Sequence, residues 1–270
     1  MSRDRVDLRP SVSHPALLSP VAVAVVAVAA GFTVEAGIGF GATLVMLSLG
    51  SLVMPTEAVL FRVVPLNVVL SAVIVLRGRR AVDVRALFAR ILPIMLLGMP
   101  VGVFALRVLP SRGLTLVFAA FVSVLAIAEL RAMVPRRGSP APGAARPPRP
   151  LGRGAGLLLL FLGGVAHGAL ATGGPPVVYV CARTLPDKAV FRATLSALWL
   201  ILNVALVVVY AAEGDVTVAT LRDSAPLIPG LVCGIAAGEV LHGRVSERGF
   251  RLVVFALLLV LAVVIGVRAM

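Results

Sequence analysis

Charge is scarce in this chain. Only 14% of its 270 residues are charged, against about 25% in an average globular protein. A soluble domain has to show water a mixed polar surface, so a soluble fold is excluded. Cysteine is nearly absent too. Cys181 and Cys233 lie in or beside apolar segments, with neither a pairing pattern nor metal-ligand spacing. They are expected to be buried free thiols, which excludes a disulfide framework. Catalytic signatures are missing: there is no G-x-S-x-G elbow, no H-E-x-x-H, no Walker A lysine motif and no carboxylate pair at metal spacing. An enzyme is therefore not expected, nor a metal or cofactor. An ATP-driven mechanism would need a partner subunit.

What is abundant is apolar sequence. Hydrophobic residues make up 60% of the chain and mean hydropathy is +1.06. They come in blocks that a bilayer accepts, provided backbone polar groups are satisfied inside helices. The blocks are too long and too uniformly apolar for the alternating strands of a membrane barrel. The formal charge is +13, but the basic residues fall between apolar blocks, which points to membrane orientation and away from nucleic acid.

A spanning helix needs about 20 apolar residues. Eight segments qualify as candidates: 15–54, 56–76, 87–109, 114–134, 155–182, 189–212, 224–241 and 250–268. The first is too long for one simple span and the fifth is broken by glycine. Residues 135–153, with Arg136, Arg137, Arg146, Arg149 and Arg153 among Pro and Gly, read as a basic cytoplasmic linker. Arg3, Arg5 and Arg9 ahead of an apolar run, with Ala27-Val28-Ala29 beyond, imitate a signal peptide. The expectation is that this segment is retained, because it has a counterpart later in the chain.

The chain repeats itself. Asp83-Val84 matches Asp215-Val216 at an offset of 132, and Gly98 and Gly102 match Gly230 and Gly234 at the same offset. Arg112-Gly113 resembles Arg248-Gly249, Pro55 and Ala58 resemble Pro186 and Ala189, and Asn67 and Asn203 sit at similar depths. The expected fold is an all-α polytopic membrane protein of two homologous four-segment halves, 15–134 and 154–268. If all eight segments span, Arg183, Lys188, Arg192, Arg244, Arg248 and Arg251 fall outside. If segments 1 and 5 are re-entrant hairpins, the halves are inverted and those residues move to the cytoplasm, as the positive-inside rule prefers.

Two glycine-rich stretches occupy equivalent places in the halves: Glu35-Ala36-Gly37-Ile38-Gly39-Phe40-Gly41-Ala42-Thr43, and His167 through Pro176 with Thr172-Gly173-Gly174-Pro175 at its centre. Glycine at this density opens a helix, and Pro175 lacks a donor for the preceding turn. A new half-helix then begins with free amides, and such N-termini bind anions. Paired broken helices are the best sequence pointer to a transporter's substrate site. The competing possibility is close helix packing. Gly173 and Gly174, lacking a Cβ, would let a ligand approach their amides.

These features resemble the sulfite exporter TauE/SafE family, a four-plus-four segment permease family. Its members carry a G-hydrophobic-G-G-G stretch in the first half and G-G-P-P in the second. Here Phe40 and Ala171 depart from glycine. The resemblance runs from about Val21 to Val267 and implies movement of sulfite or small organosulfur anions across the cytoplasmic membrane.

Polar groups at membrane depth are costly and so are functional candidates. Glu35 is either a proton-linked carboxylate or a structural acid, and His167 sits near the equivalent position. Arg62 and Arg192 begin segments 2 and 6, where guanidinium would suit a sulfur oxyanion or snorkel to headgroups. Asn67 and Asn203 either bind ligand or join helices. Trp199, the sole tryptophan, fits packing better than a pocket wall. The substrate-binding candidates are thus Gly37, Gly39, Gly41, Thr172, Gly173, Gly174, Pro175, Asn67, Asn203, Arg62 and Arg192, with Glu35 and His167 for proton coupling. The expectation is a multi-pass secondary transporter of a small anion in the cytoplasmic membrane. Its partners are substrate and lipid, and homo-oligomerisation is left open. Alternatives are a carrier of another small solute or a membrane-embedded scaffold.

Overall fold

The computed structural model describes residues 20–133, 151–185, 187–244 and 247–269. Residues 15–19 of the first segment, the arginine-rich part of the linker through 150, the N-terminal arginines and Pro186 lie outside them. Among the described residues every regular element is helical.

The first apolar block is two helices, α1 (Pro20–Ile38) and α2 (Ala42–Gly50). They are followed by α3 (Thr56–Gly78). A short helix α4 (Val84–Ala86), capped by the Asp83 side chain, runs through a π-turn at Leu87–Ile91 into α5 (Leu92–Val108). The widened turn sits just ahead of Pro93, which cannot donate to the preceding turn. α6 spans Ser111–Met133. The second block is likewise divided, into α7 (Arg153–Leu170) and α8 (Gly174–Thr184). Arg153, expected in the linker, is the first residue of α7. Asp187 accepts from the amides of Ala189 and Val190 and so starts α9 (Lys188–Ala212). α10 (Val218–Ser224) opens on a Thr217–Thr220 capping box. It leads through Ala225–Leu227 into α11 (Ile228–Arg244), and α12 covers Glu247–Ala269.

Among the described residues five stretches are long and apolar enough to cross a bilayer: 56–81, 84–108, 153–170, 189–212 and 218–241. Leu97, Val101, Phe104 and Val108 stand exposed along α5. Such an apolar outer face suits lipid and not water. Of the two thiols, Cys181 is buried as expected. Cys233 is exposed instead, because the packing face of α11 is made by its glycines and position 233 points away from it.

Four helix pairings hold the molecule together: α1 with α11, α5 with α7, α3 with α9, and α6 with α12. The first two are glycine seams. A Cβ at Gly98 or Gly102 would strike the α7 backbone at Phe161 or Val165, and one at Gly164 or Gly168 would strike the α5 backbone at Met95 or Met99. Gly230, Gly234 and Gly238 meet α1 in the same way, at Val25, Ala29 and Ala36. In each seam numbering rises in both helices together, so the paired helices run parallel and at close approach.

α1 and α2 fold back on each other. An added Cβ at Gly31 would lie 2.6 Å from Met46 Cγ, and Gly41 sits against Val34. α7 and α8 do the same, with Gly163 against Val177 and Gly173. α3 and α9 run antiparallel. The Asp83 amide beyond α3 donates to Thr194 Oγ1 near the start of α9 at 2.9 Å. At the other end Phe61 meets Tyr210 edge-on at 5.0 Å. Arg77, Arg79 and Arg80 therefore gather at the end of the bundle where α9 begins. Glu213 and Asp215 lie at the opposite end, where both pair with Arg107 of α5.

Candidate functional site

The two helix breaks meet. In the first, the amide of Gly39 closes α1 on the Glu35 carbonyl at 2.7 Å. In the second, the amide of Ala171 closes α7 on the His167 carbonyl at 2.7 Å. Glu35 and His167 thus hold the same register, one turn before each break. The chain then turns through left-handed conformations: φ is 90° at Gly39 and 103° at Gly41 in the first break, and 50° at Ala171 in the second. Glycine adopts such angles freely. Alanine does so at a cost of roughly 1–2 kcal/mol.

Between the breaks lies a cavity of about 20 Å³, room for a water-sized group. Glu35, Gly41, His167, Thr172, Gly173 and Gly174 contribute to its wall from the hairpins. α2 adds Thr43, α3 adds Asn67, and α9 adds Trp199 and Asn203. Elements far apart in sequence therefore converge on one small buried space. The Asn67 side chain donates through Nδ2 to Thr43 Oγ1 at 2.8 Å, which leaves its carbonyl oxygen free. Trp199 donates from Nε1 to the Gly39 carbonyl at 3.2 Å. Its ring stacks on His167, with centroids 5.6 Å apart and planes within 16°.

The polar atoms on this wall are unevenly satisfied. The Ala42 amide at the start of α2 donates to Glu35 Oε2 at 3.1 Å, so the first half-helix begins on an acceptor from its own chain. Across the cavity, Thr172 Oγ1, both ring nitrogens of His167 and the side-chain oxygens of Asn67 and Asn203 have no hydrogen-bond partner among the described residues. All four residues are buried. Orphaned polar groups at such burial each cost about 1–3 kcal/mol. Their convergence leaves one cavity lined with unsatisfied polar groups.

A family model for the sulfite exporter TauE/SafE matches residues 23–265. The chain belongs to the sulfite exporter TauE/SafE family. Comparison with curated proteins and with solved structures returned no match. The family is one of membrane transporters, and the apolar helices agree with a multi-pass membrane protein.

In this TauE/SafE protein several sequence candidates stand away from the cavity. Arg192 gives its guanidinium to Glu239 of α11 at 2.6 Å. Arg62 donates to the Ala58 carbonyl at 2.9 Å and lines a separate apolar cavity with Val59, Met46 and Leu227. Neither arginine faces the cavity between the hairpins. Gly37 lies inside α1, with its backbone against Gly238 of α11. Gly39 holds the hairpin tip beside the Arg192 backbone. Pro175 stands in the first turn of α8, where its missing donor costs nothing.

Gly173 lines the cavity and also packs against α7. Its φ of −65° is open to any residue, and an added Cβ would lie 2.5 Å from the Gly163 carbonyl oxygen. The space it leaves free is filled by α7, not by a ligand. Trp199 corrects the expectation of plain packing, because it joins the first hairpin tip to His167 and lines the cavity. A single tryptophan with a polar N–H in an apolar segment was the available signal. Phe40 and Thr43 also line the wall, and only their place in the glycine-rich stretch hinted at it.

Proposed function

We propose that this protein is a secondary transporter in the cytoplasmic membrane that carries a small sulfur oxyanion, sulfite or an organosulfonate. The observation that carries the reading is the set of unpartnered atoms on Thr172, His167, Asn67 and Asn203 around one buried cavity. The N-terminus of α8 opens at Gly174 on the same wall, and a helix start favours an anion. Family membership supplies the anion class. In this proposal the two hairpins part to enlarge the water-sized cavity, and the amides at Thr172–Gly174 and the Thr172 hydroxyl hold substrate oxygens. Glu35 and His167, at matching registers, carry the coupled proton.

The same proposal treats the chain as two inverted halves whose hairpins enter from opposite faces. The antiparallel run of α3 and α9, and the exchange of α1 and α7 onto α11 and α5, support it. The end bearing Arg77, Arg79, Arg80 and Arg192 is then cytoplasmic.

Proteoliposomes test the reading. Purified protein should release preloaded sulfite faster than protein-free vesicles, and sulfite should raise its melting temperature in detergent. Absence of both responses would sink the proposal.

A further inference from the structure

Among the described residues no arginine or lysine lines the cavity between the hairpins. Arg192 is held by Glu239, and Arg62 belongs to another cavity. The one acid on the wall, Glu35, occupies the amide at the start of α2. While His167 is without the coupled proton, the fixed positive potential facing a guest is therefore that of the α8 N-terminus, about half an elementary charge. That is too little for a doubly charged anion leaving water for a buried site, since an uncompensated charge there is heavily penalised. A second observation points the same way. The free atom of Asn67 is its side-chain carbonyl oxygen, which only accepts hydrogen bonds. Asn67 is fixed in that sense by its Nδ2 bond to Thr43. Thr172 can donate, and a neutral imidazole at His167 offers one donor and one acceptor. An anion with acceptors alone leaves the Asn67 oxygen orphaned.

We infer that the site selects singly charged tetrahedral or pyramidal oxyanions that carry a hydrogen-bond donor of their own, with hydrogen sulfite as the form of sulfite it takes, and rejects dianions. This rests on the anion-transport reading above. The anionic oxygens face Thr172 and the start of α8, and the guest's own donor faces Asn67. A site whose polar groups need a donor discriminates strongly against an isostere lacking one, because its own groups are then left unpaired.

The test uses full-length protein in detergent at one pH and three ions of nearly one shape: sulfamate, a monoanion with N–H donors; methanesulfonate, a monoanion without them; and sulfate, a dianion. Sulfite is measured first, by thermal shift and calorimetry. No response to sulfite overturns the transport reading and this inference with it. Given a sulfite response, sulfamate is expected to bind at least ~10-fold tighter than methanesulfonate, and sulfate more weakly than either. Asn67→Leu should erase the advantage of sulfamate, read as the ratio of its affinity to that of methanesulfonate. The ranking in unmodified protein stands by itself if that variant fails to fold. Sulfate binding as tightly as methanesulfonate, or equal affinity for the two monoanions, would overturn the selectivity and leave the transport reading intact.

Discussion

The two helix breaks hold the same register and satisfy their polar groups differently. The first closes on itself: the α2 amide rests on Glu35, the Gly39 carbonyl takes the Trp199 N–H, and Gly39 and Gly41 supply the left-handed angles. The second keeps an alanine in the left-handed region and leaves Thr172 and His167 without partners. One break is furnished by the protein itself, while the other leaves its polar groups open to the cavity. Related glycine motifs can thus divide the labour of one site, with the chemistry decided by what stands one turn before each break.

The comparison breaks most sharply at the glycines. Gly173→Ala drives a Cβ into the Gly163 carbonyl and should cost about 3 kcal/mol, the upper range for overpacking, seen as a large fall in melting temperature. Gly41→Ala meets only Val34 at 3.3 Å but must hold φ at 103°, which costs roughly 1–2 kcal/mol. A larger loss at Gly41 than at Gly173 would reverse the ranking. Next comes the acid. Glu35→Gln retains an oxygen for the Ala42 amide, so melting should hold, while pH-driven uptake into vesicles disappears and substrate exchange persists. Unchanged pH-driven uptake would reduce Glu35 to a helix cap.

The hydroxyls sharpen the contrast further. Thr172→Val removes an unpartnered group and should weaken anion binding ~10-fold, about 1.4 kcal/mol, with no loss of stability. Thr43→Val takes the acceptor from Asn67 and should instead lower stability by roughly 1 kcal/mol. Paired calorimetry and melting curves on both variants separate the two roles, and a stability loss at Thr172 with full affinity would remove it from the site. The smallest effect belongs to Ala171→Gly. It relieves the left-handed alanine but adds unfolded-state freedom, so a net gain of ~0.5 kcal/mol is expected. A drop in melting temperature would show that the methyl packs usefully.

Much of this was legible in the chain. The positions of both breaks follow from local chemistry, since glycine at 39 and 41 and the Gly-Gly-Pro-Pro run can neither continue a helix nor be misplaced by distant contacts. The apolar blocks likewise required membrane helices. The fate of the arginines was not legible, because Arg192 finds Glu239 on another helix, 47 residues away. Nor was Gly173, whose meaning depends on a carbonyl in α7.

By itself the sequence determined that the chain lives in a bilayer as helices, and where two of them must open. Both follow from composition and backbone freedom, which act over a few residues. Tertiary structure alone decided that the openings face one another, that Trp199 joins them, and that the wall between them carries orphaned oxygens and no cation. Those facts depend on which helices pack in parallel along their glycine seams, and close approach is a property of pairs of surfaces that no single segment encodes.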